Sequence, residues 1–314
     1  PRLGSLRTEL SPGRPPAYPY RLCISYGDVA ALPRFSAAKP RRLVLTGAGI
    51  SLPAGIPTYR DQEGLWRHSD PIKHQEFLQD ADRRRRYWAR SQRGWPAVRD
   101  ASPNDAHLAL ARLERAGYVR SVITQNVDRL HQRAGSREVI DLHGRLDRVV
   151  CLSCGEIICR NHVQQELHRL NTHKNGQFGS TPRPDGDVDI PDEIVASTRV
   201  PSCHLCHGVL MPDVVFFGGT VPRPRVDACM QALEGADALL AIGSSLQVFS
   251  GFRFCRRAEQ LGKPLAIVNP GKTRADEMAD LKISQDCAKV LKSIARELVT
   301  TSACDNPSYT DAGA

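Results

Sequence analysis

The side chains best able to do chemistry in this chain lie between residues 124 and 206, and His143 is central among them. His143 follows the mostly apolar run 139–142 and precedes Gly144, which places an imidazole at a strand end beside a flexible backbone. Because the ordinary histidine pKa of about 6.5 lies close to neutrality, an imidazole there can act as a general base. We expect His131, on the preceding polar segment, to pack or cap a turn and not to react.

Two Cys-x-x-Cys pairs give the strongest physical signal in the sequence. They consist of Cys151, Cys154, Cys203 and Cys206. Four thiolates are typical of tetrahedral zinc, and such a closed site leaves no open position, so the metal is expected to be structural and not catalytic. His204 and His207 alternate with the second pair and could replace one ligand, although four cysteines are the simpler assignment. The 48 residues between the pairs exceed a compact ribbon, so an insertion must loop out.

Ligand-binding loops are predicted after two apolar runs. The segment 47–51 (Gly-Ala-Gly-Ile-Ser) follows the first run, and glycines at a strand-to-helix turn let backbone amides approach a pyrophosphate. Leu52 replaces the third glycine of the usual dinucleotide fingerprint, so a tight turn without a ligand is an equal alternative, while Arg60 favours an anionic ligand. The polar segment 125–128 follows the second run and could hold a ribose or a carboxamide, with turn capping as the competing explanation.

Short apolar runs alternate with helical patterns from residue 42 onward. The runs are 43–45, 122–123, 214–217, 239–242 and 265–268, and each ends in small or polar residues. Runs that are hydrophobic throughout suit strands buried on both faces, and helical stretches at 106–116 and 226–233 fall between them. The pattern predicts an α/β fold with a doubly wound, Rossmann-like parallel sheet, in which ligands bind at the carboxyl ends of the strands.

The predicted organisation is one main domain over 41–300 between two ends of different composition. Its large part covers 41–60, 105–144 and 212–300. A smaller module is inserted in it, mostly helical over 61–104 and zinc-binding over 145–211. Residues 1–40 form a basic, loosely ordered arm rich in Pro and Arg, with room for one short helix, and residues 301–314 form a tail.

Composition argues against several classes of protein. With 314 residues and 41% hydrophobic residues the chain can bury a large core. No window approaches roughly eighteen consecutive apolar residues, so neither a membrane span nor a secretory signal is predicted. The net charge is +9, and residues 1–42, with eight Lys and Arg against two acids, account for +6 of it. Because most of the excess positive charge lies outside the predicted domain, direct nucleic-acid binding is not expected. The spacing of the ten cysteines argues against a disulfide framework.

Taken together, these motifs resemble the sirtuin family. They occur in that family's order over residues 41–290 and comprise 47–51, 55–57 with 59–60, 124–128, 142–144, the two cysteine pairs, 212–218 and 243–245. The segments 87–90 (Tyr-Trp-Ala-Arg), 94–96 (Gly-Trp-Pro) and 184–188 (Pro-Asp-Gly-Asp-Val) are similar to the class II, sirtuin-four-like branch.

The resemblance implies an NAD-dependent protein-lysine deacylase that acts on acyl-lysine proteins or peptides and holds one structural zinc ion. By similarity, the acyl oxygen attacks the anomeric carbon of the nicotinamide ribose, nicotinamide leaves, and His143 deprotonates a ribose hydroxyl. The products would be free lysine, nicotinamide and O-acyl-ADP-ribose. A protein mono-ADP-ribosyltransferase that uses the same NAD cleavage is the alternative. A zinc adaptor without catalysis is disfavoured because Asn126, Asp128 and His143 are intact.

The resemblance also assigns site residues. Pyrophosphate and ribose would contact Gly47, Ala48, Gly49, Ile50 and Ser51, and the mobile cofactor loop would include Pro57, Thr58, Tyr59 and Arg60. The nicotinamide and ribose pocket would comprise Gln125, Asn126, Val127 and Asp128, and the adenosine half Gly243, Ser244, Ser245, Asn269, Pro270, Gly271 and Cys287. The substrate backbone would pair, strand to strand, with Val215, Phe216, Phe217 and Gly218.

Some features depart from the family's pattern or leave alternatives open. Gly219 stands where an acidic residue is common, and Thr58 stands where Asp or Asn is frequent. Tyr87 and Arg90 have the spacing used by branches that remove acidic acyl groups, so acetyl, longer and dicarboxylic acyl groups all stay open. We expect a monomer in a bacterial-type cytoplasm; in a eukaryote, the basic arm would suit import into the mitochondrial matrix.

Overall fold

The computed structural model describes residues 29–38, 41–67, 71–172 and 182–304. The strands are β1 Arg42–Thr46, β2 Val119–Thr124, β3 Val139–Asp141, β4 Gly144–Cys151, β5 Ile157–Cys159, β6 Pro182–Arg183, β7 Asp187–Val188, β8 Leu210–Val214, β9 Ala238–Ile242, β10 Leu265–Val268 and β11 Leu281–Ile283. The α-helices are α1 Ala31–Ala38, α2 His74–Gln79, α3 Ala81–Asp100, α4 Asp105–Arg115, α5 Leu130–Arg133, α6 Arg160–Leu170, α7 Asp192–Ser197, α8 Arg223–Glu234, α9 Phe249–Gln260 and α10 Cys287–Cys304.

Six strands form a parallel sheet in the order β11-β10-β9-β1-β2-β3. All residues of β1, β9 and β10 are buried, because helices cover both faces of the sheet. The chain builds outward from β1 in both directions, which makes the carboxyl end of β1 a topological switch point, the usual place for a ligand in such sheets. The predicted doubly wound α/β fold is confirmed, and the runs 43–45, 122–123, 239–242 and 265–268 are strands of this sheet.

One face of the sheet is covered by α1, α4 and α10, and the other by α8 and α9. Helix α4 begins where Asn104 accepts a hydrogen bond from Ala106 N–H at 2.9 Å, a side-chain cap of the kind that starts helices. Leu110 and Leu113 follow Ala106 at helical spacing and are buried against the sheet. Leu110 is fully buried, so its replacement by Ala would cost roughly 2–5 kcal/mol.

The small module contains an antiparallel sheet in the order β5-β4-β8, packed against α3 and α6. Its core comprises Trp88, Val149, Cys151, Val163, Leu167, Cys203 and Leu210. Trp88 is fully buried, and its indole N–H donates to the carbonyl oxygen of Leu210 at 3.3 Å. The module is therefore held by apolar packing as well as by its cysteines.

The prediction of a parallel-sheet strand at 214–217 is wrong. Strand β8 ends at Val214 and pairs antiparallel with β4 in the small module, and the residues that follow are only half-buried. An apolar run in the sequence does not show whether it forms a strand of the main sheet or one wall of a cleft. In this structure β4, which begins directly after His143, is the antiparallel partner of β8. The expected helical character of 61–104 holds for 74–79 and 81–100, whereas 61–67 and 71–73 form turns and extended chain.

Two element ends bear on the predicted boundaries. Helix α10 runs to Cys304, four residues past the predicted end of the domain at 300, while residues 305–314 lie outside the described part. Of the predicted basic arm, the helix α1 is described, and residues 1–28 and 39–40 are not. Among the described residues, no helix is both long and apolar enough to cross a membrane.

Candidate active site

A cleft of about 590 Å³ lies at the carboxyl ends of β1, β2, β9 and β10, and the small module forms its opposite wall. Most predicted site residues line it: Gly47, Ala48, Gly49, Thr58, Tyr59, Arg60, Gln125, Asn126, Val127, His143, Val215, Phe216, Phe217, Gly218, Gly243, Ser244, Ser245, Asn269, Pro270, Gly271 and Cys287. Ser51, Pro57 and Asp128 line a small adjoining cavity. Ile50 lines neither, because its side chain is fully buried in the core beneath β1, so a side-chain contact of Ile50 with a cofactor is excluded.

The turn after β1 packs directly against the turn after β9, and both need glycine. Gly49 N–H donates to the carbonyl oxygen of Gly243 at 2.8 Å, and a Cβ on Gly49 would lie 2.8 Å from that same oxygen. Gly243 has a φ of 60°, which favours glycine, and a Cβ there would lie 2.5 Å from Ile50 N. The glycines of 47–51 thus serve the contact between two turns, and the Gly49 amide is already used within the protein.

Asn126 connects the segment 125–128 to the turn after β1. Its side-chain N–H groups donate to the carbonyl oxygen of Gly47 at 3.2 Å and to Ser51 Oγ at 3.0 Å, which leaves its amide oxygen as the group free to meet a ligand. Ser51 Oγ in turn donates to Asp128 Oδ2 at 2.7 Å. Burial raises the pKa of the Asp128 carboxyl, while Leu130 N–H and the Ser51 hydroxyl oppose that shift. The predicted polar segment is therefore preorganised and buried.

Gln125 lies between the strand ends of the large sheet. Its side-chain amide donates to Ser244 Oγ at 2.8 Å and to the carbonyl oxygen of Thr46 at 3.3 Å. The Ser244 hydroxyl also accepts Leu246 N–H at 3.2 Å. These bonds connect the carboxyl ends of β1, β2 and β9, which form the floor of the cleft, and hold them in place.

His143 presents a deprotonated nitrogen toward the cleft. Its Nδ1 lies 2.9 Å from the carbonyl oxygen of Gln125, and because a carbonyl oxygen only accepts, Nδ1 carries the proton. Nε2 then holds the lone pair and accepts the hydroxyl of Ser250 at 2.7 Å. Burial lowers the pKa of His143 to about 4, and the positive charges of Arg225 and Arg253 act in the same direction. The imidazole is therefore neutral at pH 7 and suited to accept a proton.

The predicted cofactor loop is closed over the cleft by aromatic contacts. Tyr59 packs edge-on against Trp66 and Phe217, with ring centroids 5.9 and 5.2 Å apart. The Arg60 guanidinium stacks over Trp66 at 4.1 Å and donates to the carbonyl oxygen of Gly64 at 2.7 Å, so it braces the loop instead of standing free. Thr58 donates its hydroxyl to the carbonyl oxygen of Arg60 at 2.8 Å.

Residues that are predicted to contact the adenosine half of NAD, and that lie far apart in the sequence, also meet at the cleft. Asn269 donates its side-chain amide to the carbonyl oxygen of Gly271 at 2.9 Å, which shapes the loop after β10. Cys287 begins α10, is only 4% exposed, and donates to the carbonyl oxygen of Val268 at 3.5 Å. Burial raises the pKa of its thiol to about 12, so Cys287 is a neutral wall residue and not a reactive thiolate.

The segment 215–218 lines the cleft and is held by backbone hydrogen bonds on both sides. Val215 N–H donates to the carbonyl oxygen of His143 at 2.8 Å, and the carbonyl oxygen of Phe217 accepts His74 N–H at 2.9 Å. The carbonyl oxygen of Phe216 accepts Gly219 N–H at 2.9 Å, and Gly218 has a φ of 75°, so the chain makes a turn over 216–219. The pairing of this segment with a substrate backbone stays a prediction.

Sequence reasoning missed several residues of this cleft. Asp185, Asp187, Ser250 and Arg253 all line it. Asp185 is brought in by the loop of the small module, where it accepts a hydrogen bond from the Tyr59 hydroxyl. Burial raises the pKa of Asp185 to about 6. The Pro-Asp-Gly-Asp motif at 184–187 is the sequence feature that could have indicated the two acids. Whether their side chains point into the cleft depends on tertiary packing.

The four cysteines meet at the tip of the small module. Their sulfur atoms all lie within 4.8 Å of one another, and the Sγ distances are 3.4 Å for Cys151–Cys206 and 3.7 Å for Cys154–Cys203. Tetrahedral zinc with Zn–S bonds of about 2.3 Å requires sulfur atoms roughly 3.8 Å apart, so the residues fit that ion. Neither His204 nor His207 belongs to the group. The four cysteines would fill all four positions of a tetrahedral ion, so no position would be open for a catalytic water or a substrate.

The idea that Arg90 reads an acidic acyl group is wrong on geometry. Arg90 is 6% exposed and does not line the cleft, although Tyr87 does. Its guanidinium pairs with Asp187 at 2.8 Å and Asp189 at 3.3 Å and donates to the carbonyl oxygen of Val188 at 2.7 Å. These partners come from β7 and the residue after it, so Arg90 anchors the Asp185 loop to α3.

The comparisons with known proteins agree with this geometry. A model of the Sir2 family matches residues 47–250. NAD-dependent protein deacetylase 2 of Bradyrhizobium diazoefficiens is 49% identical over 261 residues, which cover 83% of this chain and 95% of that protein. NAD-dependent protein deacylase Sirt4 of Drosophila melanogaster is 46% identical over 299 residues, covering 93% and 95%. A solved Sir2–p53 peptide–NAD+ structure has a TM-score of 0.69 at 29% identity, covering 88% of this chain and 99% of that one. This chain belongs to the Sir2 family, the sirtuins.

Proposed function

We propose that this chain is an NAD-dependent protein-lysine deacylase that transfers the acyl group to ADP-ribose and releases nicotinamide. One observation carries the proposal: His143 holds its unprotonated Nε2 at the cleft, between the glycine turns on one side and the substrate segment 215–218 on the other. Family membership and the names of the relatives, which are NAD-dependent deacetylases and a deacylase, support the same activity.

Different residues along the cleft would bind different parts of NAD, and His143 would accept the proton. The turns at 47–49, 243–245 and 269–271 offer a path for the ADP-ribose part of NAD, and the buried group around Asn126 and Asp128 offers a polar end for the nicotinamide half. Bound NAD supplies an electrophilic anomeric carbon whose bond to nicotinamide can break. His143 would accept a proton from a ribose hydroxyl at Nε2, and its Nδ1–H stays fixed on the carbonyl oxygen of Gln125.

The peptide substrate would lie along 215–218, which lines the cleft. Backbone pairing there reads an extended chain with little dependence on its sequence, which suits acyl-lysines in different protein contexts. The solved Sir2 structure named above contains a p53 peptide together with NAD+. The acyl group, the oligomeric state and the compartment stay predictions, as does the absence of a nucleic-acid partner.

The zinc site would act on structure alone. Four cysteines would fill every position of a tetrahedral ion, and the metal would hold β4 and the 203–206 knuckle together. The cysteines thereby stabilise the strand that follows directly from His143.

The test is acyl-dependent nicotinamide release. Purified protein would be incubated with NAD and a panel of acetyl-, longer-acyl and dicarboxylic acyl-lysine peptides, with His143→Tyr as the inactive comparison and His162→Tyr, an exposed histidine on α6, as the matched control. We expect release only with an acyl peptide, O-acyl-ADP-ribose as product, and loss in the His143 variant alone. Labelling of protein by ADP-ribose without any effect of the peptides would instead establish the transferase alternative.

A further inference from the structure

His131 lies buried behind the cleft in a chain of hydrogen bonds that ends at Asn126. Its Nε2 is 2.9 Å from Thr46 Oγ1, and Thr46 Oγ1 is 3.0 Å from Thr124 Oγ1. Thr124 Oγ1 then accepts the backbone N–H of Asn126 at 3.1 Å. All four residues are at most 8% exposed, so water competes little for these bonds and each is strengthened by its low-dielectric surroundings.

The direction of each bond follows from the groups at its two ends. His131 Nδ1 is buried without a hydrogen-bond partner among the described residues, and an unpaired N–H is a rarer and costlier state than an unpaired lone pair. The proton therefore resides on Nε2, which donates to the Thr46 hydroxyl, and that hydroxyl donates to Thr124. Thr124 Oγ1 is left as the acceptor for both Thr46 and Asn126.

Asn126 is the point where this chain meets the cleft. Its side chain lines the cavity and holds the carbonyl oxygen of Gly47 and the hydroxyl of Ser51. The bond to Thr124 fixes its backbone, so it fixes the point from which this side chain reaches out. Misplacement of a positioned polar group by a fraction of an ångström is enough to slow a reaction measurably.

We propose that His131 is a positioning residue of this enzyme, which holds Asn126 in place through Thr46 and Thr124 without touching NAD or the peptide. The inference rests on the proposed function, since it assigns a task within that reaction. Without the His131 donor, the two threonine hydroxyls are free to turn, and Thr124 can present its proton instead of its lone pair to Asn126 N–H.

Four variants separate this role from simple packing. His131→Leu removes the donor, whereas His131→Gln places an amide N–H near the position of Nε2. Thr46→Val removes the middle hydroxyl and keeps the shape. His107→Leu is the matched control, because His107 is equally buried and its ring centroid lies 4.9 Å from that of His131. The His107 ring accepts Asn104 N–H and does not bond to the threonines.

The measurements are kcat and KM for NAD, NAD affinity, and the hydrogen-exchange rate of the Asn126 amide. We expect His131→Leu and Thr46→Val each to lower kcat/KM for NAD by about tenfold, the cost of one unmade buried hydrogen bond, and to speed Asn126 exchange. The double variant should be no worse than either single one, as for members of one network. His131→Gln should recover most of the loss, and His107→Leu should lower the melting temperature with unchanged kinetics.

Several results would overturn the inference. One is a kcat/KM for His131→Gln that is as low as that for His131→Leu. Another is a double variant in which the two losses in kcat/KM multiply. The third is an exchange rate of the Asn126 amide that His131→Leu leaves unchanged. Failure of the proposed function looks different, because wild-type protein would then release no nicotinamide with any acyl peptide. In that case NAD affinity and Asn126 exchange still decide whether His131 holds Asn126.

Discussion

Ser250 donates its hydroxyl to Nε2 of His143 at 2.7 Å, on the side of the ring opposite the carbonyl oxygen of Gln125. The ring is thus held at both nitrogens, and its tautomer is the one that a general base requires. Ser250 comes from the first turn of α9, 107 residues away along the chain. The hydroxyl occupies the place where the proton of a substrate hydroxyl would arrive.

Replacement of His143 by Ala should abolish turnover without abolishing NAD binding. Loss of a general base typically costs about 10²- to 10⁴-fold in rate, whereas the glycine turns and the Asn126 group are left in place. The measurement is acyl-peptide-dependent product formation together with calorimetric NAD affinity. An active variant, or one that has lost NAD affinity to the same degree as rate, would contradict a base role.

The acid limb of the pH–rate profile should lie below the ordinary histidine pKa. Burial lowers the pKa of His143 to about 4, so the base is unprotonated above that pH and loses its function only as the pH falls through it. Asp185, with a pKa raised to about 6, also titrates in the cleft. We therefore expect kcat/KM of the Asp185→Asn variant to be flat from pH 6 to 8, with a decline only in more acidic buffer; a midpoint at 6.5 would refute the assignment.

Zinc removal should unfold the small module and leave the large sheet folded. Cys206→Ser deletes one of four ligands, and structural zinc sites contribute folding energy directly. We expect less than one zinc per chain by atomic absorption, a lower melting temperature and lost activity. Cys159→Ser is the matched control, since Cys159 is also exposed but lies outside the cluster. Equal damage from both substitutions would argue against a metal role for Cys206.

Arg90→Ala should lower activity on all acyl groups by a similar factor. Arg90 itself is buried, but the side chains of its partners Asp187 and Asp189 are 33% and 50% exposed. Water therefore screens both carboxylates, and the removal of Arg90 should cost only about 1–2 kcal/mol of stability. Chemical denaturation would measure that loss, and parallel assays with acetyl- and glutaryl-lysine peptides would measure selectivity. A selective loss on the glutaryl peptide alone would restore the acyl-reading role that the structure excludes.

Gly94→Ala should destabilise the protein although Ala is the better helix former. In an ordinary helix interior the change gains up to about 1 kcal/mol. Here a Cβ on Gly94 would lie 2.1 Å from the carbonyl oxygen of Gly186, so α3 and the turn that carries Asp185 would have to separate. We expect a lower melting temperature and weaker activity. Ser197→Ala, at an exposed position of α7, is the control. Gly117→Ala cannot be used, because Gly117 has a positive φ of 81° and any side chain there would be strained.

The sequence alone predicted the parts of this protein that depend on local pattern and residue chemistry. Buried strands at 43–45, 122–123, 239–242 and 265–268 follow from apolar runs ended by small residues, and the four-cysteine set follows from the fixed needs of tetrahedral zinc. His143 could be chosen because an imidazole at a strand end, next to a glycine, has few structural uses. The family resemblance then supplied an order to motifs that are weak one by one.

Tertiary structure decided everything that depends on which distant segments meet. The run 214–217 borders a cleft because β4, which follows His143, is available as its neighbour, and periodicity carries no information about that neighbour. Arg90 faces Asp187 and Asp189, and Asp185 faces Tyr59, because α3 packs on a loop about a hundred residues farther along the chain. Likewise Ser250 reaches His143 only through the packing of α9. Contacts of this kind arise from shape and burial across the whole core, so composition and spacing cannot specify them.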